Sequence, residues 1–218
     1  VKGIARRFGF AGSFMAKPYD VFNGNGMHMH FSVLDRQGRN IFDNGGPEGT
    51  AALKSAVAGC LAALHDSTLV FAPHANSFDR LVPGAHAPTA ITWAYENRTT
   101  AIRIPSGKPV ARRIEHRVAG GDVNPYLMIA GVLGSALIGI EDGMTPPPPL
   151  LGNAYDSASP RLPTSWEEAI DDFEASPLVA RIFPQELIRN YVLTKRQEVR
   201  YMAELGPDEQ MDLYLDTV

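Results

Sequence analysis

Cysteine is nearly absent from this sequence: among 218 residues, Cys60 is the single cysteine. One thiol cannot form an internal disulfide, so the fold does not rest on a disulfide framework, and such scarcity is typical of proteins from a reducing compartment. Cys60 stands within the apolar run LKSAVAGCLAAL. We interpret it as a small core residue on a helix rather than as a catalytic thiol.

Long hydrophobic runs and a strong excess of charge of one sign are missing too. The longest apolar stretch, residues 126–140, ends at Glu141 and Asp142 and is shorter than the roughly 20 residues of a membrane-spanning helix. The net charge is −4, which provides no basic surface for nucleic acid or anionic lipid. We therefore predict a cytoplasmic protein with neither a nucleic-acid nor a membrane partner.

Two common catalytic motifs do not occur in the sequence. There is no G-x-x-x-x-G-K-[ST] loop, which excludes the P-loop way of holding a nucleotide, and there is no G-x-S-x-G elbow of a serine hydrolase. Any phosphate chemistry in this chain must therefore use another arrangement of residues.

Alternating hydrophobic and polar residues predict a set of short strands. These lie at 10–17, 27–34, 89–95, 100–104 and 112–118, with one more after the turn at 35–39. Residues 66–88 are irregular and rich in proline and glycine, and we predict a long loop there. The strands carry most of the polar residues discussed below, so we expect any site to lie on a sheet.

Helical spacing predicts helices on both sides of these strands. One begins at Thr50 as N-cap and ends near His65, and another follows Asn124 and ends near Glu141. Beyond the proline-rich break at 146–150, amphipathic patterns predict a helical tail with helices at 165–175, 184–205 and 207–216. The first has Ser165 and Glu168 spaced as a capping box. The fold class we predict is α+β, an antiparallel sheet with flanking helices and a helical C-terminal tail.

Two histidines alternate along the predicted strand 27–34. His28 and His30 are separated by one residue, so both project to one face together with Ser32. Glycines at 24 and 26 precede them and allow the backbone to approach a ligand closely. The pattern is typical either of solvated histidines or of a site in which one imidazole binds a divalent cation and the next contacts a nucleotide.

A second alternating face lies on the predicted strand 112–118. Arg113, Glu115 and Arg117 are each two residues apart, while Ile114 and Val118 face the opposite way, into the core. A surface salt-bridge ladder is one interpretation. The other is a metal ligand, Glu115, flanked by arginines that bind phosphate or carboxylate.

Arginine is concentrated in one part of this acidic protein. Six arginines fall within residues 80–117, and five of them are candidate site residues: Arg80, Arg98, Arg103, Arg113 and Arg117. Guanidinium groups beside a candidate cation site neutralise and position a phosphoryl group in transfer reactions. The sequence therefore favours phosphoryl-transfer chemistry.

Taken in order, five segments resemble the catalytic domain of the glutamine synthetase family. Its motifs N-G-x-G-M-H-x-H, R-L-V-P-G-x-x-A-P, N-R-x-x-x-I-R-I-P, R-R-I-E-x-R and N-P-Y-L match residues 23–30, 80–88, 97–105, 112–117 and 124–127. The resemblance is to the type I-like members and, in residues 76–83, 92–105 and 112–122, to γ-glutamylpolyamine and γ-glutamylputrescine synthetases. It implies an ATP-dependent ligase that converts glutamate to γ-glutamyl phosphate, which an amine then attacks.

The resemblance implies roles for particular residues. Metal ligands for Mg²⁺ or Mn²⁺ would be His28 and Glu115. The ATP-binding residues would be His30, Ser32, Arg98, Arg103 and Arg113, and the glutamate-binding residues would be Asn23, Gly24, Arg80 and Arg117. Catalytic roles would fall to Arg117, Arg98 and His86.

One residue departs from the glutamine-forming pattern. His86 occupies the loop position where glutamine synthetase carries a glutamate that binds ammonium and removes its proton. An imidazole can accept a proton but supplies no fixed negative charge. This favours an organic amine or polyamine as acceptor; an ammonium-dependent glutamine synthetase and a non-catalytic structural member of the family are the alternatives. Tyr155 lies near the position that is adenylylated in some bacterial members, although an ordinary loop tyrosine is the simpler interpretation.

The resemblance also implies an organisation larger than this chain. Residues 1–151 correspond to the C-terminal part of the catalytic domain and 152–218 to its helical extension, whereas the N-terminal β-grasp domain and the first part of the catalytic domain have no counterpart. Residues 1–7 read as the end of a helix, so we expect further residues upstream. The family forms ring-shaped homo-oligomers, and a dodecamer is expected for the full-length protein. This chain alone is expected to be inactive.

Overall fold

The chain folds into short strands and mostly longer helices. The computed structural model describes residues 1–218, apart from the side chain of Asp216. The strands are β1 (Met29–Phe31), β2 (Trp93–Tyr95), β3 (Ile102–Ile104) and β4 (Ile114–His116). The helices are α1 (Lys2–Arg7), α2 (Ala51–Leu64), α3 (Thr68–Phe71), α4 (Ala75–Arg80), α5 (Pro125–Glu141), α6 (Trp166–Ala175), α7 (Pro177–Ile182), α8 (Gln185–Met202) and α9 (Pro207–Thr217). The α+β class is therefore confirmed.

The four strands form one sheet in the order β1-β4-β3-β2. β4 is antiparallel to both β1 and β3, as predicted, but β2 and β3 are parallel, so the prediction of a purely antiparallel sheet was wrong at this edge. Two features reverse the direction of the chain between β2 and β3. Glu96 adopts a left-handed backbone with φ of 54°, and the side chain of Asn97 accepts hydrogen bonds from the backbone and hydroxyl of Thr99. The 96–101 connection thus doubles back along β2.

Side-chain caps begin the helices that the sequence predicted. Thr50 accepts a hydrogen bond from the backbone N–H of Leu53, and Asn124 caps α5 at Tyr126. Ser165 caps α6 as expected, but the carboxylate of Glu168 accepts from the backbone N–H of Thr164. The capping box is therefore displaced by one residue, because the glutamate reaches the peptide group before the N-cap.

Three local predictions were wrong. Residues 10–17, all of which the structure describes, contain no strand. The predicted loop at 66–88 contains the short helices α3 and α4, and the helix α7 was not predicted at all. The hydrophobic pattern gives little signal in these places, because helices of four to six residues are too short to show a period.

Buried side chains form two clusters. The first lies between the sheet and helices α2 and α5, and includes Trp93, Ile102, Ile114 and Val118. The second joins α6, α7, α8 and α9 to α3 and to Met15, so the helical tail packs against the first part of the chain. Within the described part of the chain, no helix is both long and apolar enough to cross a membrane. Because one face of the sheet is covered by the first cluster, Glu115 of β4 projects from the other face, whereas His116 lies on the covered face against Phe71.

Candidate active site

Glu115 lies at the centre of the sheet on β4. Its neighbours across the sheet are His30 on β1 and Arg103 on β3. Directly opposed residues of neighbouring strands project to the same face. The alternation of the two short sequences and the register of the strands therefore bring an imidazole, a carboxylate and a guanidinium group together.

The Glu115 carboxylate contacts four basic side chains. Its Oε1 lies 2.7 Å from Arg117 Nη1, 3.0 Å from His28 Nδ1 and 3.7 Å from His30 Nε2. Its Oε2 lies 2.7 Å from Arg103 Nη1. We call these five residues the Glu115 cluster. Only 3% of the Glu115 side chain is exposed, whereas 32% of the His28 side chain is, so the cluster is open to solvent on the histidine side.

The surroundings of Glu115 keep its carboxylate ionised. Burial raises its pKa, but the hydrogen bonds from His28 and Arg103 and the charge of Arg117 lower it by more. The net pKa therefore lies well below the usual range. At His30, burial is the main cause that lowers the pKa, and nearby Arg113 adds to it. A permanently charged carboxylate beside a mostly neutral imidazole is a donor set that suits a divalent cation.

Two arginines of the cluster are fixed by second contacts. Arg103 Nη2 lies 3.0 Å from Glu96 Oε2, and Arg117 Nη2 donates to the backbone carbonyl of Arg98 at 2.8 Å. Among the described residues, the Nε atoms of Arg103 and Arg117 are buried without a hydrogen-bond partner. Unsatisfied buried donors of this kind are what an anionic group would satisfy.

Sequence reasoning missed Glu96. Its carboxylate accepts from Arg103 and from the backbone N–H of Ser106, so it fixes both the arginine and the loop after β3. The signal was available, because Glu96 directly precedes the motif that begins at Asn97. It went unused because nothing in the sequence shows that the chain doubles back there.

Of the remaining residues predicted to bind ATP, Arg113 and Arg98 contact the Glu115 cluster from its edge. Arg113 Nε donates to His30 Nδ1 at 3.2 Å, which links it to the cluster. The side chains of Arg98 and Ser32 are exposed. Arg98 enters the site through its backbone carbonyl, so its predicted contact with ATP stays a prediction.

Arg80 is buried, with 4% of its surface exposed. Its Nη1 donates to the carbonyl of Val118 at 2.7 Å, and burial lowers its pKa to about 10. Gly24 and Gly26 pack directly on it: a Cβ at Gly26 would lie 2.7 Å from Arg80 Nη2. Asn23 is exposed at the edge of this loop. The glycines of the first motif are therefore required for close packing on Arg80.

Another buried acid supports Arg80 and was not predicted. Asp122 is 2% exposed at its side chain and lies 3.1 Å from His74 Nδ1; it also accepts a hydrogen bond from Ser77. Its negative charge acts on Arg80 and raises the arginine pKa, against the effect of burial. Asp122 lies between the motifs at 112–117 and 124–127, but nothing in the sequence shows that it acts on Arg80, and only the fold brings the two side chains close.

His86 takes part in none of the hydrogen bonds described for the Glu115 cluster. It is exposed on the loop after α4 and has φ of 59°, in the left-handed region that few side chains favour. Tyr155 is near this loop, and its hydroxyl donates to the carbonyl of Ala87 at 2.9 Å. The structure thus places His86, the residue predicted to accept a proton, at the exposed surface.

Comparisons with known proteins identify the family of this chain. Residues 1–214 match the family described as glutamine synthetase, catalytic domain. The chain is 40% identical over 198 residues to the γ-glutamylethanolamide synthetase of Streptomyces coelicolor, a match that covers 91% of this chain and 42% of that protein. It is 34% identical over 226 residues to a glutamate–isopropylamine ligase of a Pseudomonas species, with 100% and 49% covered.

A solved structure shows the same fold. The ligand-free structure of GmaS superposes with a TM-score of 0.84 at 30% identity, and the match covers 99% of this chain and 50% of that one. The chain therefore spans about half the length of the relatives it matches. On the family match over nearly all of its length, this chain belongs to the glutamine synthetase family.

Proposed function

We propose that this chain is the C-terminal catalytic part of a ligase that uses ATP to join glutamate to an organic amine or polyamine. The observation that carries the proposal is the convergence of His28, Arg103 and Arg117 on the buried carboxylate of Glu115. Membership of a ligase family and similarity to an ethanolamide synthetase and an isopropylamine ligase support it. The activity belongs to the whole protein, of which these residues supply part of the site.

The proposed reaction has two steps. An oxygen of the glutamate γ-carboxylate attacks the γ-phosphorus of ATP, the bond from that phosphorus to the bridging oxygen breaks, and ADP leaves. The amine nitrogen then attacks the carbonyl carbon of γ-glutamyl phosphate, inorganic phosphate leaves, and the nitrogen loses a proton. The products are a γ-glutamyl amide, ADP and phosphate.

Arginines of the Glu115 cluster would bind and neutralise the transferring phosphoryl group. Arg103 and Arg117 each contact Glu115 through one Nη nitrogen. The buried Nε of each has no hydrogen-bond partner among the described residues. Because the strands fix these side chains, little reorganisation is needed when charge develops. Arg98 and Arg113, at the rim, would contact the outer phosphates, and His30 and Ser32 the rest of the nucleotide.

A cavity beside β3 has room for part of a nucleotide. It measures about 580 Å³, and its lining includes Glu96, Lys108 and Arg112. Sites for small ligands typically have volumes of roughly 300–1,000 Å³. Because Glu96 also contacts Arg103, a nucleotide bound there would have its phosphates near the Glu115 cluster.

A divalent cation, Mg²⁺ or Mn²⁺, fits the residues present. Glu115 is held ionised and His28 Nδ1 lies 3.0 Å from its Oε1, so these two side chains would hold the cation. When bound, such an ion supplies charge neutralisation and orientation for phosphate oxygens. We expect the remaining ligands to come from parts of the protein outside these 218 residues.

His86 would accept the proton of the amine, and Asn23, Gly24 and Arg80 would hold glutamate. An organic amine suits the exposed position of His86, because the loop provides a neutral base and no fixed negative charge for ammonium. We also propose a cytoplasmic location and, for the whole protein, a ring-shaped homo-oligomer of the kind expected from the family resemblance.

The test is an ATP-hydrolysis assay on the whole protein with glutamate and one amine at a time: ethanolamine, isopropylamine, putrescine, spermidine or ammonium. We expect phosphate release that depends on both glutamate and an organic amine, with the γ-glutamyl amide identified by mass spectrometry. Stimulation by ammonium alone would show a glutamine synthetase. No phosphate release with any amine would support the non-catalytic alternative.

A further inference from the structure

Residues 152–162, which we call the strap, cross the chain segments that carry two of the predicted catalytic residues. At one end, the carbonyl of Gly152 accepts a hydrogen bond from the side chain of Asn97 at 2.7 Å. The backbone N–H of Ala154 donates to the hydroxyl of Thr99 at 2.9 Å. The strap is therefore fixed to the turn at 97–99, which also contains Arg98.

This turn is connected directly to the Glu115 cluster. The carbonyl of Arg98 accepts a hydrogen bond from Arg117 Nη2, and Arg117 Nη1 in turn contacts Glu115. A short path of polar contacts therefore leads from the centre of the site, through the turn, to the first residues of the strap.

The other end of the strap pairs with the chain that follows His86. Ile91 donates to the carbonyl of Pro160 at 2.8 Å, and Leu162 donates to the carbonyl of Thr89 at 3.0 Å. Arg161 adds a side-chain bond to the Thr89 hydroxyl at 3.2 Å. These contacts form a short antiparallel bridge that fixes residues 89–91.

Arg161 also fixes the strap to itself and to α2. Its Nη2 donates to the carbonyls of Tyr155 and Ser157 at 3.0 and 2.9 Å. Its own carbonyl lies 3.0 Å from His65 Nδ1, just after α2. The strap is therefore a braced segment that can hold what it touches, rather than a loose loop.

Tyr155 is the residue of the strap that contacts the backbone next to His86. Its hydroxyl donates to the carbonyl of Ala87, the next residue, at 2.9 Å. Ala87 is fully buried, so this carbonyl needs a partner inside the protein. Burial raises the pKa of Tyr155, and its hydroxyl stays protonated and able to donate.

The backbone at His86 needs such a restraint. A φ of 59° is unfavourable for a residue with a side chain, and a backbone of this kind persists only where the surroundings enforce it. The hydrogen bond to Ala87 is one residue away and acts on the same turn. Loss of this bond would let the loop relax and the imidazole move.

We propose that Tyr155 is a positioning residue for the amine acceptor: it binds the Ala87 carbonyl and thereby sets where His86 stands at the mouth of the site. The part of this inference that concerns the amine rests on the function proposed above. The part that concerns the loop rests on the contacts of the strap alone. Tyr155 acts through this loop, because its hydroxyl donates to the Ala87 carbonyl rather than to a residue of the Glu115 cluster.

The first measurement tests the loop. In the 218-residue chain, Tyr155→Phe removes the hydroxyl and keeps the ring, so the fold should persist. We expect the backbone amides of Ala85, which donates to Val82, and of buried Ala87 and Thr89 to exchange with deuterium about tenfold faster than in the parent, because the hydrogen bond to the Ala87 carbonyl is lost. Exchange in β4 should be unchanged. Tyr126→Phe is the matched control, because Tyr126 is 81% exposed. Unchanged exchange at these three amides would overturn the proposal.

The second measurement tests acceptor positioning in the whole protein. For Tyr155→Phe we expect KM for the amine to rise about fivefold, with KM for glutamate and ATP within about twofold of the parent. A purely structural role would instead lower kcat or raise all three KM values together, and this would overturn the assignment. If the parent shows no amine-dependent turnover, the proposed function fails, and the exchange measurement still decides whether Tyr155 holds the loop.

Discussion

At the residue scale, the site depends on one acid among several bases. Glu115 is buried and balances Arg103 and Arg117, both of which are mostly buried themselves. Desolvation of these charges is costly, so each is retained only because the others are present. The arrangement explains why the carboxylate stays ionised and why the guanidinium groups are held at the sheet surface, near the place where a phosphoryl group would pass.

The substitution Glu115→Gln tests this dependence. The side chain keeps its size but loses its charge, so Arg117 is left as a buried cation without a counter-charge and Arg103 keeps only Glu96. We expect the free energy of unfolding of the 218-residue chain, measured by urea denaturation in the presence of a chelator, to fall by about 3 kcal/mol. The chelator ensures that no bound cation contributes to the difference.

Glu204→Gln is the matched control, because Glu204 is exposed near the end of α8. A surface substitution of this kind should change the free energy of unfolding by less than about 0.5 kcal/mol. If Glu115→Gln proves equally mild, the carboxylate does not balance the arginines, and the electrostatic account of the site is wrong.

At the element scale, the sheet rests on two helices that touch through their backbones. Gly59 in α2 faces Gly139 in α5: a Cβ at Gly59 would lie 2.6 Å from the backbone nitrogen of Gly139 and closer still to the carbonyl of Ser135. Small residues at a helix crossing allow this close approach. The pair therefore sets the distance between the two helices that cover the core face of β3 and β4.

We predict that Gly59→Ala destabilises the chain, although alanine is the better helix former by about 1 kcal/mol. The added methyl group has backbone on its far side, which cannot rotate away, so the helices must separate and open the core. The expected loss is at least about 3 kcal/mol in the free energy of unfolding. Urea denaturation followed by circular dichroism measures it.

The same substitution at Gly3 provides the comparison. Gly3 lies in α1, and a Cβ there meets no atom within 4 Å, so Gly3→Ala should leave stability unchanged or raise it by up to about 1 kcal/mol. Equal effects at the two positions would mean that the crossing of α2 and α5 tolerates a wider separation than its geometry implies.

Most of the longer helices could be predicted from the sequence, but the contacts between elements could not. Thr50 and Asn124 begin α2 and α5 because their side chains cap the first backbone N–H groups, which is a local effect visible in the sequence. The parallel pairing of β2 with β3 depends on the turn at Glu96, and the helix crossing depends on which glycines face each other. Both are tertiary facts without a local signal.

The site shows the same division. The alternation along β4 correctly placed Glu115 and Arg117 on one face, since a period of two follows from strand geometry. The contact of Arg103 with Glu96 and the support of Arg80 by Asp122 required the register of the sheet and the packing of loops. Sequence motifs therefore identified the charged groups that converge, while the neighbours that hold them appeared only in the structure.

At the scale of the whole molecule, an acidic chain brings Arg103, Arg113 and Arg117 together at one sheet surface, and a separate loop exposes His86. The Glu115 cluster would serve any ligase that forms an acyl phosphate. On the function proposed above, the choice of amine would depend on the loop, where the side chain at 86 would present ammonium with either a negative charge or an imidazole.

The substitution His86→Glu in the whole protein tests that choice. A carboxylate at this position attracts ammonium, so we expect kcat/KM for ammonium to rise at least about tenfold relative to that for the organic amine. Glutamate is less favourable than histidine at a φ of 59°, and a loss of about 1 kcal/mol in stability should accompany the change. His86→Asn is the control, since asparagine tolerates this backbone but brings neither charge nor base; it should weaken turnover with every amine alike. If His86→Glu leaves the preference for amines unchanged, the acceptor is selected elsewhere in the protein.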